Sequence, residues 1–488
     1  MSKFLFFMSL FTKLQENNVK GLVTFFGFSG QLSFLISLFL LISCTGSKKE
    51  HTVQTTKIEA VNVEPLHTKA TSTDTLSDVQ KIMGLTKLAM EVKYNFVFYH
   101  QLPFDWEDLI ESSIPAVLAT RDTYGYCREL EKICARLRDG HTGITYSYLS
   151  HSSEKIATPP FTTRLFHNKV YIDKIYNDRL SDMGMEKGME VVKVNGMDVH
   201  EYINEHVRPY ICSSTTQWTD YVIFNRNELS RGKVKDTLTI ELKERGNKPL
   251  EIKIDRGMAW KKMDASVFDF SLLEGNVGLL KINTFRDNYY NRQFRDQFDK
   301  IYGEILQTDA LVIDIRNNNG GNSGNGDYIL GHLTGKPFAT GGKMGSRMYI
   351  PYFASRGRKE QWYEGEEYTA PSIAGKRIYE KPVVILVSGG TISAAENFCA
   401  AFRGMKRGLL IGVPTAGSSG NPITQPLIKG IADVRICPET WFELDGKEFI
   451  GIGIIPDIRI RDTFNDFLTG RDAVLEEGLH RLKIANHD

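Results

Sequence analysis

Apolar positions recur along this chain with two different periods, and the changes between them divide it into three parts. From Leu76 onward, Ile82, Leu85, Leu88 with Ala89, Val92 and Phe96 fall on one face of a helix. Ile110, Ile114, Val117 and Leu118 predict a second helix; Tyr126, Leu130, Ile133, Cys134 and Leu137 predict a third. These make a small helical domain over 76–150. Beyond about Phe161 the period shortens to two. Val170-Tyr171-Ile172 alternates, Asn195-Gly196 between apolar runs signals a tight hairpin, and Thr237 to Leu242 and Leu250 to Ile254 complete a β module over 158–258. Over 265–488 strands and helices alternate, the mark of an α/β layer. Its strands are Val277 to Ile282, Ala310 to Ile315, Val383 to Val387, Leu409 to Val413 and Ala432 to Cys437, and Phe294, Phe298, Ile301 and Ile305 stripe one of its helices.

The candidate chemistry sits where these patterns break. Val383 to Val387 reads as a buried strand, Gly389-Gly390 ends it, and helical spacing resumes at Ala394 with Ala395, Phe398 and Phe402. Ser393 therefore stands at a strand–turn–helix junction, beside the free N–H groups of a helix start, where negative charge is stabilised. There it serves as a nucleophile or merely as a helix N-cap. A second break follows Ile315, in Arg316-Asn317-Asn318-Asn319-Gly320-Gly321-Asn322-Ser323-Gly324. This glycine-rich turn lacks the spacing and the lysine of a phosphate loop, so an oxyanion site is the better reading. A third lies at Asp139-Gly140-His141-Thr142-Gly143, where the last helix of the first domain runs out. A histidine in such a turn is either an incidental surface residue or a proton carrier.

Charge adds little: 60 basic residues face 59 acidic ones, so no global field points to nucleic acid. The amino terminus adds more. Leu32 to Ser43 is an apolar run too short to span a bilayer comfortably but suited to the core of a signal peptide over 1–43, the alternative being a membrane-anchor helix with an incidental cysteine. It ends in Leu41-Ile42-Ser43-Cys44, which resembles a bacterial lipobox, with Cys44 as the lipidated residue and a polar tether over 44–75. A lipid-anchored protein exported to the periplasmic side or the cell surface is the expectation. The other five cysteines are irregularly spaced and predict no disulfide framework, and the scattered histidines predict no metal site.

Three separated motifs agree with one another: the Gly320-Gly321 turn, Thr391-Ile392-Ser393-Ala394-Ala395-Glu396, and Gly451-Ile452-Gly453-Ile454-Ile455-Pro456-Asp457. With Lys187 to Val199, which looks like part of a PDZ domain, they resemble the C-terminal processing or tail-specific proteases of peptidase family S41, which include tricorn protease. The resemblance implies a crotonase/ClpP-like α/β catalytic core with an N-terminal helical domain and a PDZ-like β module. It implies a serine-type peptidase with Ser393 as nucleophile, an oxyanion hole from the backbone of Ala394 and of Gly320 or Gly321, a protein C-terminal tail as substrate, and no cofactor. The processing proteases carry a lysine base about 25 positions beyond the serine, and that position here is Ser418. Asp139-Gly140-His141 looks instead like the tricorn segment whose histidine is the base, with Gly140 where tricorn has a serine. Glu448, ahead of a Gly-Ile-Gly-Ile strand, is the candidate orienting carboxylate, in competition with Glu443 and Asp445. The rival expectation is a lipoprotein that holds a peptide or another ligand on the same fold without hydrolysing it. An acyl-CoA enzyme of the wider fold needs neither Ser393 nor export.

Overall fold

The computed structural model describes residues 75–485, apart from 151, 153–154, 244–248, 262–265, 288–292, 341, 343, 367 and 374. The expected signal peptide, Cys44 and all but the last residue of the tether lie outside the described residues. Helices α1 (Asp78–Asn95), α2 (Trp106–Leu118) and α3 (Thr123–Ala135) come first. Each starts on a side chain that accepts the otherwise orphaned N–H groups of the first turn: Ser77, Asp105 and Asp122. The predicted stripe of α1 points inward through Leu85, Leu88 and Val92. Strand β1 (Gly143–Thr145) follows α3 after a tight turn.

The β module is an antiparallel sheet of β2 (Phe161–Phe166), β3 (Lys169–Ile175), β4 (Glu190–Val194), β5 (Thr237–Lys243) and β6 (Leu250–Asp255), in that spatial order. Asn195 and Gly196 turn with φ of 52° and 81°. Two successive left-handed residues match the twist of a two-residue hairpin, which is why Asn-Gly serves there. Leu238, Ile240 and Leu242 of β5 and Ile252 and Ile254 of β6 alternate into the core beneath. Between β4 and β5 the chain runs through short helical turns, including Thr216–Asp220, that leave the module and reach the third part.

That third part is built on a six-stranded sheet of β7 (Phe268–Leu273), β8 (Val277–Ile282), β9 (Ala310–Asp314), β10 (Val383–Val387), β11 (Gly408–Gly412) and, across the edge, Ile458–Arg459. β7 is antiparallel to β8 and every later pair is parallel. Helices α4 (Gln293–Ile305), α5 (Ser323–Gly331) and α6 (Ala394–Gly404) bring Phe294, Phe298, Ile329, Phe398 and Phe402 onto one face. After the short α7 (Phe464–Thr469), α8 (Ala473–Ala485) lays Val474 and Leu482 on the other. Coverage on both faces is why β9 and β10 are apolar at nearly every position rather than alternating. The Gly451–Ile455 run departs from its expected strand form. Gly451 and Gly453 have φ of 78° and 89°, so the segment turns, and its edge strand starts only at Ile458.

Strands β12 (Ile423–Ile428) and β13 (Ala432–Ile436) form a hairpin that returns to the helical region, where β13 pairs antiparallel with β1. Leu427, Ile431, Ala432, Val434 and Ile436 share a core with Leu85, Leu88, Tyr126 and Leu130. The helical part is therefore not closed over 76–150; it completes its core with residues nearly 300 positions later in number, and this pairing draws His141 toward the C-terminal end of β10.

Candidate active site

Ser393 occupies a strained corner. β10 ends at Val387, and the Thr391 hydroxyl pins the next turn, accepting from Ser388 N–H at 3.1 Å and donating to the Ile315 carbonyl at 2.9 Å. Ser393 then has φ 64° and ψ −128°, a conformation that costs a non-glycine residue about 1–3 kcal/mol. Its N–H is held twice, by the Ser418 carbonyl at 3.0 Å and by Glu396 Oε2 at 3.2 Å. Glu396 is fully buried, and it also accepts from the Thr415 hydroxyl (2.5 Å) and from the N–H groups of Gly417 (2.7 Å) and Ser418 (2.9 Å). Burial pushes its carboxyl up to about 7 against these donors. One carboxylate thus fixes the Ser393 corner and the Thr415–Ser419 loop to each other.

His141 arrives from the other side. The β1–β13 pairing sets Gly143 opposite Arg435, and the Thr142 hydroxyl accepts from Cys437 N–H at 3.2 Å. The His141 ring is only 6% exposed, with Nε2 2.9 Å from Ser393 Oγ and Nδ1 2.6 Å from Ser418 Oγ. Ser418 Oγ lies in turn 3.5 Å from Asp139 Oδ1, and Asp139 Oδ2 accepts from the His141 backbone N–H at 3.1 Å. Burial lowers the imidazole pKa to about 3, and the positive charge of Arg435 adds to the effect. The ring is therefore neutral at neutral pH. With the proton on Nδ1 toward Ser418, the Nε2 lone pair faces the Ser393 hydroxyl.

Glu448 does not take the orienting place expected of it. Its Oε1 accepts from the Thr440 hydroxyl at 3.3 Å, and it lines a cavity of about 660 Å³ between the Phe98–Gln101 turn and the 442–448 hairpin. Its competitors are engaged as well, Glu443 by Arg403 at 2.6 Å and Asp445 by Lys447 at 2.5 Å. The group on Nδ1 is Ser418. Gly140 is explained by the same contact. A Cβ there would lie 3.0 Å from Ser418 Oγ, 3.1 Å from Ser418 Cβ and 3.3 Å from Trp218 Nε1, so a larger residue would require Ser418 or Trp218 to shift by a few tenths of an ångström.

The two glycines of the candidate oxyanion turn differ. Gly320 N–H is already engaged, donating to Asn318 Oδ1 at 2.9 Å. A Cβ on Gly320, where φ is 76°, would come within 2.7 Å of Ser393 Cβ and 2.8 Å of the Ile392 carbonyl, so the turn packs directly on the serine corner. The N–H groups of Gly321 and of Ala394, the first residue of α6, donate to no acceptor among the described residues.

Sequence reasoning missed three contributors. Asp139 and Ser418 were visible only as neighbours of other motifs. The segment between Ile203 and Arg231, which carries no motif of its own, braces the Thr415–Ser419 loop: Thr215 Oγ1 donates to the Ala416 carbonyl (2.6 Å), Ser214 Oγ to that of Gly417 (2.7 Å), and Gln217 Nε2 to those of Thr415 (2.9 Å) and Ile452 (2.8 Å).

Residues 276–460 match the model of peptidase family S41. Over that segment the chain is similar to the peptidases of family S41. The carboxy-terminal-processing protease of Bartonella bacilliformis is 26% identical over 251 residues, 51% of this chain and 52% of that protein. A probable CtpA-like serine protease of Staphylococcus haemolyticus is 27% identical over 233 residues, 48% of this chain and 42% of that one. The chain thus spans about half the length of these relatives. Among solved structures, mature CPAF in complex with lactacystin superposes with a TM-score of 0.62 at 15% identity, covering 84% of this chain and all of CPAF. That likeness is one of fold, and it extends beyond the S41 match to the helical and β parts. The S41 segment contains both Ser393 and Ser418; His141 lies outside it.

Proposed function

We propose that this chain is an exported serine endopeptidase that hydrolyses peptide bonds in or near protein C-terminal tails. The observation that carries the reading is the 2.9 Å approach of a neutral, buried imidazole to the hydroxyl of a serine in a strained strand-to-helix corner. In the mechanism, His141 Nε2 removes the proton as Ser393 Oγ attacks the scissile carbonyl. The oxyanion is met by Ala394 N–H at the positive end of α6 and by a donor of the Gly320–Gly321 turn, Gly321 N–H being the uncommitted one. Ser418 and Asp139 hold the Nδ1 side of the ring and face the imidazolium as it forms. His141 then hands the proton to the departing amine, and water, activated through the same nitrogen, releases the acyl group from Ser393. The PDZ-like module over 158–258 holds the chain end by strand addition, and Cys44 carries the lipid that anchors the protein.

Ser393→Ala and His141→Ala should each abolish hydrolysis of an unstructured peptide, and a fluorophosphonate probe should label Ser393 in the native chain but not in His141→Ala. Normal turnover by either variant would end the assignment. Anchoring at Cys44 is checked by metabolic labelling with an alkyne fatty acid: the expected signal disappears in Cys44→Ala, and a signal that persists refutes the site.

A further inference from the structure

Two guanidinium groups at the catalytic cleft have no use in the mechanism. Arg435 stands on β13 directly opposite Gly143, two residues beyond His141, and its side chain is exposed. The strand alternates there: Val434 and Ile436 point into the helical core, so Arg435 points away from it. Arg286 is also exposed and follows Phe285, whose N–H and carbonyl clasp Gly320 and Asn322 on either side of Gly321. The backbone of Arg286 is pressed against the oxyanion turn, its nitrogen only 2.4 Å from where a Gly321 Cβ would be. One arginine thus flanks the cleft on the imidazole side and the other on the oxyanion side.

Neither guanidinium makes a hydrogen bond, an ion pair or a ring contact among the described residues. Most arginines around the site are committed: Arg316 to Asp314 and Asp472, Arg347 to Glu360, Arg403 to Glu443. The two groups also sense one another. Crowding by protein lowers the Arg435 pKa, the charge of Arg286 lowers it further, the Asp139 carboxylate opposes both, and the charge of Arg435 is felt in turn at His141. Two like charges within electrostatic range of each other beside a reacting centre favour an anion that comes between them. Guanidinium is the side chain best matched in shape to a carboxylate.

We propose that Arg286 and Arg435 form a carboxylate-recognition site, so that the preferred substrate carries a carboxylate close to the scissile bond. The inference rests on the peptidase reading for its location, and it names the substrate class. The carboxylate is an Asp or Glu side chain within a few residues of the cut, because the chain terminus is held by the PDZ-like module.

The test uses the full chain and one unstructured peptide, cleaved by the native protein to locate the bond, in four forms: free or amidated C-terminus, combined with Glu or Gln beside the cut. Affinity is measured by fluorescence anisotropy on Ser393→Ala, and kcat/KM on the native chain. The carboxylate form should bind about tenfold tighter than its neutral counterpart, with the gap narrowing in high salt. Arg286→Gln and Arg435→Gln should each shrink the ratio, the double variant should bring it near one, and Arg435→Glu should turn the preference toward a Lys-bearing peptide. The ratio should follow Glu against Gln; a ratio that follows only the free against the amidated terminus would overturn the proposal. Equal affinity for all four forms, or a ratio that survives in the double variant, would overturn the proposal. Because binding is read without turnover, a carboxylate preference in a chain that fluorophosphonate fails to label would sink the peptidase reading alone.

Discussion

Removing the Ser418 hydroxyl tests the arrangement of the base more sharply than removing the base itself. In the resting state Ser418 Oγ and His141 Nδ1 share a 2.6 Å contact between two buried groups. A neutral hydrogen bond of this kind is worth about 0.5–1.5 kcal/mol, and one to a charged group about 1.5–3 kcal/mol. The imidazole becomes charged only as Ser393 loses its proton, so the difference is expressed in the transition state. Burial makes that charge expensive here, since the ring's pKa lies at about 3. Ser418→Ala also leaves the Asp139 carboxylate without the hydroxyl between it and the ring. We therefore expect kcat to fall by roughly 10- to 100-fold, at about 1.4 kcal/mol per decade, with KM nearly unchanged. Steady-state hydrolysis of a fluorogenic unstructured peptide gives kcat and KM separately, and the fluorophosphonate labelling rate reports Ser393 activation directly. A thermal melt shows whether the fold is intact. A folded Ser418→Ala chain with kcat within about twofold of native would refute the role, whatever the geometry.

Two further expectations follow from the same site. Gly140→Ala places a methyl 3.0 Å from Ser418 Oγ and 3.3 Å from Trp218 Nε1; overpacking of this sort costs about 1–3 kcal/mol of stability, and kcat should fall with it, so native turnover would show the loop to be more yielding than its packing implies. The buried His141 also sets a pH dependence. Its folded pKa, about 3, lies below its ordinary 6.5, so the unfolded chain binds the extra proton first. The resulting stability is fully present above 6.5 and is lost as pH falls through 6.5 toward 3. Measured by urea denaturation, native chain should lose about 1.4 kcal/mol per pH unit more than His141→Gln between pH 6 and pH 4; Glu396 and Asp139 contribute to both chains and drop out of the difference. Parallel curves would mean the imidazole is not held neutral by the fold.

Much of this site was legible before any fold was known, because local patterns carry local chemistry. The apolar run of β10, the glycines behind it and the resumed helical period at Ala394 put Ser393 at a strand-to-helix corner. Asn195-Gly196 marked its hairpin because only a few residues accept two successive left-handed conformations. What misled was proximity in sequence. Glu448 was favoured for standing ahead of a motif, whereas that motif turns and Glu448 bonds to Thr440. The segment between Ile203 and Arg231 has no motif at all, yet Thr215 and Gln217 brace the loop that carries Ser418.

By itself, then, the order of residues determined the three kinds of structure along the chain, the corner at Ser393, and the presence of a histidine able to serve it. Periodicity and turn chemistry act over a few residues, and their physics is complete within such a window. The tertiary structure alone decided which groups meet. The β1–β13 pairing closes a loop of nearly 300 residues, and burial in the resulting junction makes His141 neutral and sets Ser418 against its far nitrogen. Contact across that separation, and the loss of water that gives it its energy, are properties of the folded chain.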